Sequence, residues 1–208
     1  MINRFIARQL GNPTGFFGKV LAPLWNLRNS VLNDTVFKAL NLQPNDRVLE
    51  VGFGGGYLLN RMALVVTDGF LAGVDISQVM VTSAHKRFRR LTAAGKLDLQ
   101  CCQAEALSYP PGYFTKVCSV NSIFYWENVS QALKELERVL RYSGLIVLCQ
   151  TRPESLENRG FASHIARYEV SDICRMLEEV GFHDIRITNA SDKHREFTCL
   201  TGKKFTSV

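Results

Sequence analysis

At 208 residues, with 46% hydrophobic and 21% charged residues, the chain has ordinary globular composition and a length suited to one domain with a real core. No apolar run approaches the ~20 residues of a membrane-spanning helix, and the N-terminus lacks the apolar stretch of a secretory leader. The formal net charge of +6 admits an anionic partner, such as nucleic acid or lipid, without requiring one.

Residues 1–30 stand apart. Gly11, Pro13, Gly15, Gly18 and Pro23 interrupt any long helix, while Phe16, Phe17, Val20, Leu21, Leu24, Trp25 and Leu27 call for burial. Three readings stand for this extension: an extra packed layer, a lid over an active site, or a lipid-facing segment, which Arg4, Arg8, Lys19 and Arg28 would suit. The main domain is expected over 31–208. It opens with a helix capped by Asn33, with Val36, Phe37 and Leu40 on one face. Pro44-Asn45-Asp46 is turn chemistry.

Val48 to Tyr57 then reads as a buried strand, a glycine turn and a helix start. Gly52, Gly54 and Gly56 allow a tight backbone against which a ligand can lie. The dinucleotide fingerprint G-x-G-x-x-G fails: its last position falls on Tyr57 or Leu59, depending on the starting glycine. Phe70–Ile76 forms a second strand. Asp75 lies 19 positions beyond Gly56, and a right-handed βαβ unit brings its carboxylate to the edge that holds the glycine turn. Ser77 caps the next helix, which carries Val79, Met80, Ala84 and Phe88. Its run His85-Lys86-Arg87-Phe88-Arg89-Arg90 is read as a solvated basic face.

Leu97–Cys101 alternates as strand three, and Lys116–Asn121 reads as strand four. Asn128 caps a helix in which Gln131 takes the capping-box position and Val129, Leu133, Leu136 and Leu140 face inward. Tyr142-Ser143-Gly144 turns into strand five, Leu145–Cys149. Residues 152–168 are poorly patterned. Ser171 caps a helix with Ile173, Met176, Leu177 and Val180 inward, and Gly181 ends it. Strands near 183–188 and 196–202 close the chain as a hairpin. Six scattered cysteines with no C-x-x-C pair are read as free thiols in a reducing cytoplasm, with no metal site.

The run Glu50-x-Gly52-x-Gly54-x-Gly56, followed by Asp75, resembles motif I and the acid after strand two of the class I S-adenosylmethionine-dependent methyltransferases. The likeness spans residues 33–205 and is strongest to the small-molecule branch with the quinone and sterol methyltransferases. It implies a Rossmann-like, doubly wound α/β fold: seven strands, mostly parallel, with an antiparallel last strand. It implies S-adenosylmethionine as cofactor and S-adenosylhomocysteine as product. By the same likeness, Glu50 handles the cationic amino-acid end, Asp75 beside Ile76 takes the ribose hydroxyls, Ala104 and Glu105 meet the adenine, and Asn121 closes the site from strand four. The family's proline-glycine-glycine before strand five is replaced by Tyr142-Ser143-Gly144.

Asn121-Ser122-Ile123-Phe124 lacks the two prolines of the amino-group methyltransferases. Phe124, Tyr125 and Trp126, with Trp25 from the extension, are expected to wall a pocket for a small apolar or aromatic acceptor. Tyr125, Glu127 and His164 are candidate bases, and no constellation singles one out. Two other readings stand: methylation of nucleic acid or protein amino groups, and a non-catalytic binding module. The oligomeric state is open.

Overall fold

The computed structural model describes residues 9, 11–15, 28–156 and 166–205. Its strands are β1 (Arg47–Val51), β2 (Phe70–Asp75), β3 (Leu97–Cys101), β4 (Phe114–Val120), β5 (Leu140–Thr151), β6 (Phe182–Ser191) and β7 (Glu196–Lys204). They form one sheet in the order β3-β2-β1-β4-β5-β7-β6. β1 to β5 pair in parallel, and β7 runs antiparallel to both its neighbours. This is the doubly wound sheet with a reversed last strand that the sequence implied. The direction of winding changes between β1 and β4, so a crevice opens at their carboxyl ends.

The helices are α1 (Ser30–Leu40), α2 (Tyr57–Met62), α3 (Gln78–Arg87), α4 (Arg89–Ala93), α5 (Val129–Val139) and α6 (Val170–Glu179). Leu32, Val36, Leu58, Met62, Met80 and Ala84 bring α1, α2 and α3 onto one face of the sheet. Leu133, Leu136, Ile173 and Leu177 bring α5 and α6 onto the other. Val48 joins the first cluster and Leu49 the second, the period-two alternation of a strand covered on both sides. Among the described residues, no helix is long and apolar enough to cross a membrane.

Two caps stand where expected. Met80 N–H donates to Ser77 Oγ at 3.3 Å, and Gln131 N–H to Asn128 Oδ1 at 3.0 Å. Other boundaries moved. Asn33 is no cap: its N–H closes the first turn of α1 on Asn29 O, and its side chain is buried within the helix. Ser171 lies inside α6, whose first helical residue is Val170, with Glu169 extended before it and no side-chain cap. Strand five starts at Leu140, straight after α5, so Leu140 packs inward from a strand rather than a helix. Leu140 pairs with Phe114 and the ladder resumes at Leu145 with Lys116, so the residues between bulge. Ser143 there has φ +57°, and a Cβ on Gly144 would lie 2.7 Å from Arg141 O. β4, β6 and β7 each extend beyond the expected segments, and Asp192 N–H donates to Arg195 O across the β6–β7 turn.

Packing under the crevice leaves no slack. Gly73 pairs with Glu50, and a Cβ there would sit 2.8 Å from the Phe53 ring and 2.9 Å from Leu59 Cδ1. Both neighbours belong to the glycine turn and its helix. Gly73→Ala should therefore cost about 1–3 kcal/mol by overpacking, read as a lower urea midpoint with unchanged m-value.

Candidate active site

A cavity of about 380 Å³ opens at the carboxyl ends of β1, β2 and β4. Its floor is the glycine turn. Gly52, Gly54 and Gly56 all take positive φ (75°, 50° and 72°), a conformation that only glycine adopts freely. The three serve different ends. A Cβ on Gly52 would strike Ser122 Cβ at 2.5 Å, and one on Gly56 would strike the Phe88 ring at 2.7 Å. Nothing lies within 4 Å of a Cβ on Gly54, because that position faces the cavity. Gly56 is not on the cavity wall. It starts α2 and lets α3 pack close, while Gly55 takes the place on the wall that the sequence reading gave to Gly56.

Two buried carboxylates frame this turn. Asp75, at the end of β2, accepts Gly54 N–H at 2.9 Å through Oδ2 and Ser77 N–H at 2.9 Å through Oδ1. Burial raises its pKa, and those two N–H groups work against the rise. Glu50, at the end of β1, is 3% exposed and its Oε2 has no partner. Burial pushes its carboxyl up to about 8, the nearby Asp75 adds to the rise, and Leu59 N–H opposes it. A buried acceptor without a donor is costly. A ligand with a cationic nitrogen at this point would satisfy it.

The far wall belongs to the loop after β3 and to α3. Met80, Ile76, Cys102, Ala104 and Glu105 line it, and Glu105 Oε1 also accepts Asn128 N–H at 3.0 Å. The cavity thus offers an apolar slot for a flat ring, a carboxylate at a helix start, and a buried acid for a cation. An S-adenosylmethionine molecule presents the matching parts, an adenine ring, ribose hydroxyls and an ammonium, so the residues fit the cofactor. When bound, it supplies a methyl group activated by a sulfonium sulfur.

The third wall holds the residues after β4. Phe124 and Trp126 are buried, Tyr125 is partly buried, and Glu127 is exposed at the rim. Burial raises the Tyr125 pKa well above its ordinary value, so this phenol stays neutral and is no general base. Asn121 has φ +54°; its Oδ1 accepts Thr151 N–H at 2.7 Å, and its Nδ2 donates to Asn29 Oδ1 at 3.3 Å. The cavity therefore collects Glu50, Gly52, Gly54, Asp75, Ile76, Ala104, Glu105, Asn121, Phe124, Tyr125, Trp126 and Glu127. Trp25 and His164 lie outside the described residues. Sequence reasoning missed Arg28, Asn29, Asn33, Thr151, Leu156 and Arg195 on the same walls. Arg28 and Asn33 carried signals of another kind, a basic extension and a helix cap, and Arg195 stood as a cation in the expected hairpin.

Comparison with known proteins points to methyltransferases. Residues 49–148 match the family described as a methyltransferase domain. The uncharacterized methyltransferase YdaC of Bacillus subtilis is 28% identical over 85% of this chain and 93% of its own. The ubiquinone/menaquinone biosynthesis C-methyltransferase UbiE of Geotalea daltonii is 26% identical over 62% of this chain and 59% of its own. A phosphoethanolamine-type N-methyltransferase of Haemonchus contortus, solved with S-adenosylhomocysteine, superposes with a TM-score of 0.72 at 15% identity, over 84% of this chain and 52% of its own.

Glu50 makes the site pH-sensitive in a definite direction. Its folded pKa of about 8 lies above the ordinary 4.5, so the folded state binds the proton more tightly. This contribution to ligand-free stability is full below about pH 4.5 and is lost as pH rises through about 8. Urea unfolding across that interval should show a falling midpoint, and Glu50→Gln should remove this part of the fall. S-adenosylhomocysteine, whose ammonium favours the ionised carboxylate, should bind more tightly over the same interval with release of a proton. Calorimetry in buffers of differing ionisation enthalpy reads that proton.

Proposed function

Because the chain is an S-adenosylmethionine-dependent methyltransferase of the class I fold, we propose that it methylates a small apolar or aromatic acceptor held against Phe124, Tyr125 and Trp126. The observation that carries this reading is the aromatic wall itself. Three successive aromatic side chains, joined by Leu156, line the cavity beside the glycine turn. The 3₁₀ turn Ile123–Tyr125 sets their directions, with Phe124 and Tyr125 edge to face at 6.4 Å. The name of the Geotalea relative, a quinone-biosynthesis C-methyltransferase, is in keeping with such an acceptor.

These residues act by positioning. The wall and the glycine turn hold the acceptor atom in line with the breaking carbon–sulfur bond and keep water out. Tyr125 keeps its proton and can donate a hydrogen bond. Glu127 stands exposed to water at the rim. The fitting nucleophile therefore brings its own electron density, as an ionised phenolate or an electron-rich ring does, and the proton that leaves the acceptor passes to water at the rim. Amino-group methylation is less well served. The Asn121 carboxamide is engaged at both ends, and Ser122 Oγ contacts Ser119 Oγ and Val51 O.

We read the extension over residues 1–30, of which residues 9, 11–15 and 28–30 are described, as a lid on this cavity. Pro13 O accepts Ser77 Oγ–H at 2.5 Å at the cofactor end, and Gly11 lies against the Tyr125 ring at the acceptor end, where a Cβ would sit 2.3 Å from the ring. Residues 11–13 thus bridge the ends of β2 and β4. The six free cysteines, with Cys149 opposite Cys199 across β5 and β7, suit a reducing cytoplasm.

Calorimetric titration with S-adenosylmethionine and S-adenosylhomocysteine, with NADH as control, tests the cofactor half. Asp75→Ala should weaken both sulfur ligands at least tenfold, roughly the worth of one hydrogen bond to a charged group. Tight NADH binding, or none by either sulfur ligand, would sink the reading. For the lid, deletion of residues 1–28 should lower turnover of an aromatic acceptor found by screening far more than it lowers the melting midpoint. A truncated chain that unfolds would make that segment structural instead.

A further inference from the structure

One polar group in the cavity wall is served by neither the cofactor half nor the aromatic half. Arg195 sits in the turn between β6 and β7, and its side chain is 9% exposed. Its Nε donates to Asp192 Oδ2 at 3.2 Å, and the Asp192 side chain is itself 7% exposed. The guanidinium then crosses to two distant parts of the chain. Nη1 donates to Thr151 Oγ1 at 3.3 Å, at the end of β5. Nη2 donates to Arg28 O at 2.5 Å and Asn29 Oδ1 at 2.7 Å, just before α1.

These contacts close a ring. Asn29 Oδ1 also accepts from Asn121 Nδ2, and Asn121 Oδ1 accepts from Thr151 N–H. Arg195, Asn29, Asn121 and Thr151 therefore form one circuit, and all four line the cavity. Asparagine is a preferred helix N-cap, yet the Asn29 side chain makes no cap bond to α1. Its oxygen is turned to Arg195 and Asn121 instead. The arrangement gives up local helix stability to fix a cavity wall. The body of α1 is held by buried Leu32, Val36 and Leu40 and by the Asp34–Arg61 ion pair to α2, and Arg195 adds a polar attachment just before its first turn.

We propose that Arg195 is a positioning residue of this site: it holds the start of α1, with Asn29 and Asn33, against the cavity, and it fixes Asn121 on the cavity wall just after β4. The proposal rests on the methyltransferase reading. A planar, forked guanidinium is suited to this task, because it can hold three acceptors in fixed directions while its charge is balanced by Asp192. A lysine could keep the ion pair but could not span the same acceptors.

The test compares Arg195→Ala, Arg195→Lys, Asn29→Ala and the double variant Arg195→Ala/Asn29→Ala. S-adenosylhomocysteine affinity is measured by calorimetry well below each melting midpoint, with hydrogen exchange over residues 28–33. Arg195→Ala should weaken binding about tenfold and speed that exchange, as for loss of a charge-assisted hydrogen bond. Arg195→Lys should recover most of the melting midpoint without recovering the affinity. Asn29→Ala should add little in the Arg195→Ala background, since both act through one ring. Affinity that follows the midpoint through the whole series, or losses that add in the double variant, would overturn the proposal. If Arg195→Ala does not fold, Arg195→Lys and Asn29→Ala decide the matter by the same split between affinity and midpoint. Failure of the unsubstituted chain to bind would strike the cofactor reading, and this proposal with it. Normal binding there, with affinity tracking stability in the variants, would overturn the Arg195 role alone.

Discussion

Two carboxylates buried side by side at the ends of adjacent parallel strands are the constraint from which the rest of this molecule follows. Removing charged groups from water is expensive unless donors replace the lost hydration. Asp75 receives two backbone N–H groups, one from Gly54 and one from Ser77. Glu50 keeps an oxygen with no partner. The imbalance defines a site: one acid is built into the turn, and the other is left to hold its proton until a cation arrives. The glycines follow from the same demand. Gly54 points its amide at Asp75 while leaving its own face bare, at a φ of +50° that glycine adopts without strain.

The sheet delivers this geometry through register. Glu50 stands opposite Gly73, so the strand that carries Asp75 runs past β1 by the short distance that lets its carboxylate reach the glycine turn. Gly52 N–H donates to Val74 O, which ties the turn to β2. Gly73 leaves room for Phe53 and Leu59, so the turn can lie down on the sheet. On the other side, β4 lies beside β1 in parallel and brings Ser122 against Gly52. The walls of the cavity meet there because the winding reverses at that seam.

This explains what could be read from the chain and what could not. The glycine turn and the caps at Ser77 and Asn128 are local, each a residue type required within a few positions of its partner, and Asp75 follows at the fixed distance that one βαβ unit sets. They were legible for that reason. Local signals also misled. Asn33 and Ser171 are good capping types at believable places, but Asn33 was needed inside α1, and extended Glu169 already precedes the first turn of α6. Tyr142-Ser143-Gly144 looked like a turn into strand five, and instead it bulges within a strand that had already begun. Tyr125 was a candidate base by residue type, and burial makes it a neutral phenol. Arg195 and Asn29 are separated by 166 positions, so no spacing rule could have joined them.

The division has a consequence for how such a site specifies its acceptor. The cofactor half comes from one stretch, β1 to the loop after β3, where the backbone does most of the holding. The rest of the cavity wall is assembled from Gly11, Pro13, Arg28, Asn29, Asn33, residues after β4, Thr151, Leu156 and Arg195, pieces far apart in the chain. A change in any of these pieces can reshape the acceptor wall without touching the acids or the glycine turn. A recognisable cofactor motif therefore says little about the methyl acceptor. In this chain the acceptor wall combines an aromatic arc with a polar ring centred on Arg195. On the proposed reading the arc keeps water from the acceptor, and the ring keeps the start of α1 in place. Selectivity then rests on side chains held by distant partners, where a small displacement of the reacting atoms has a large effect on rate.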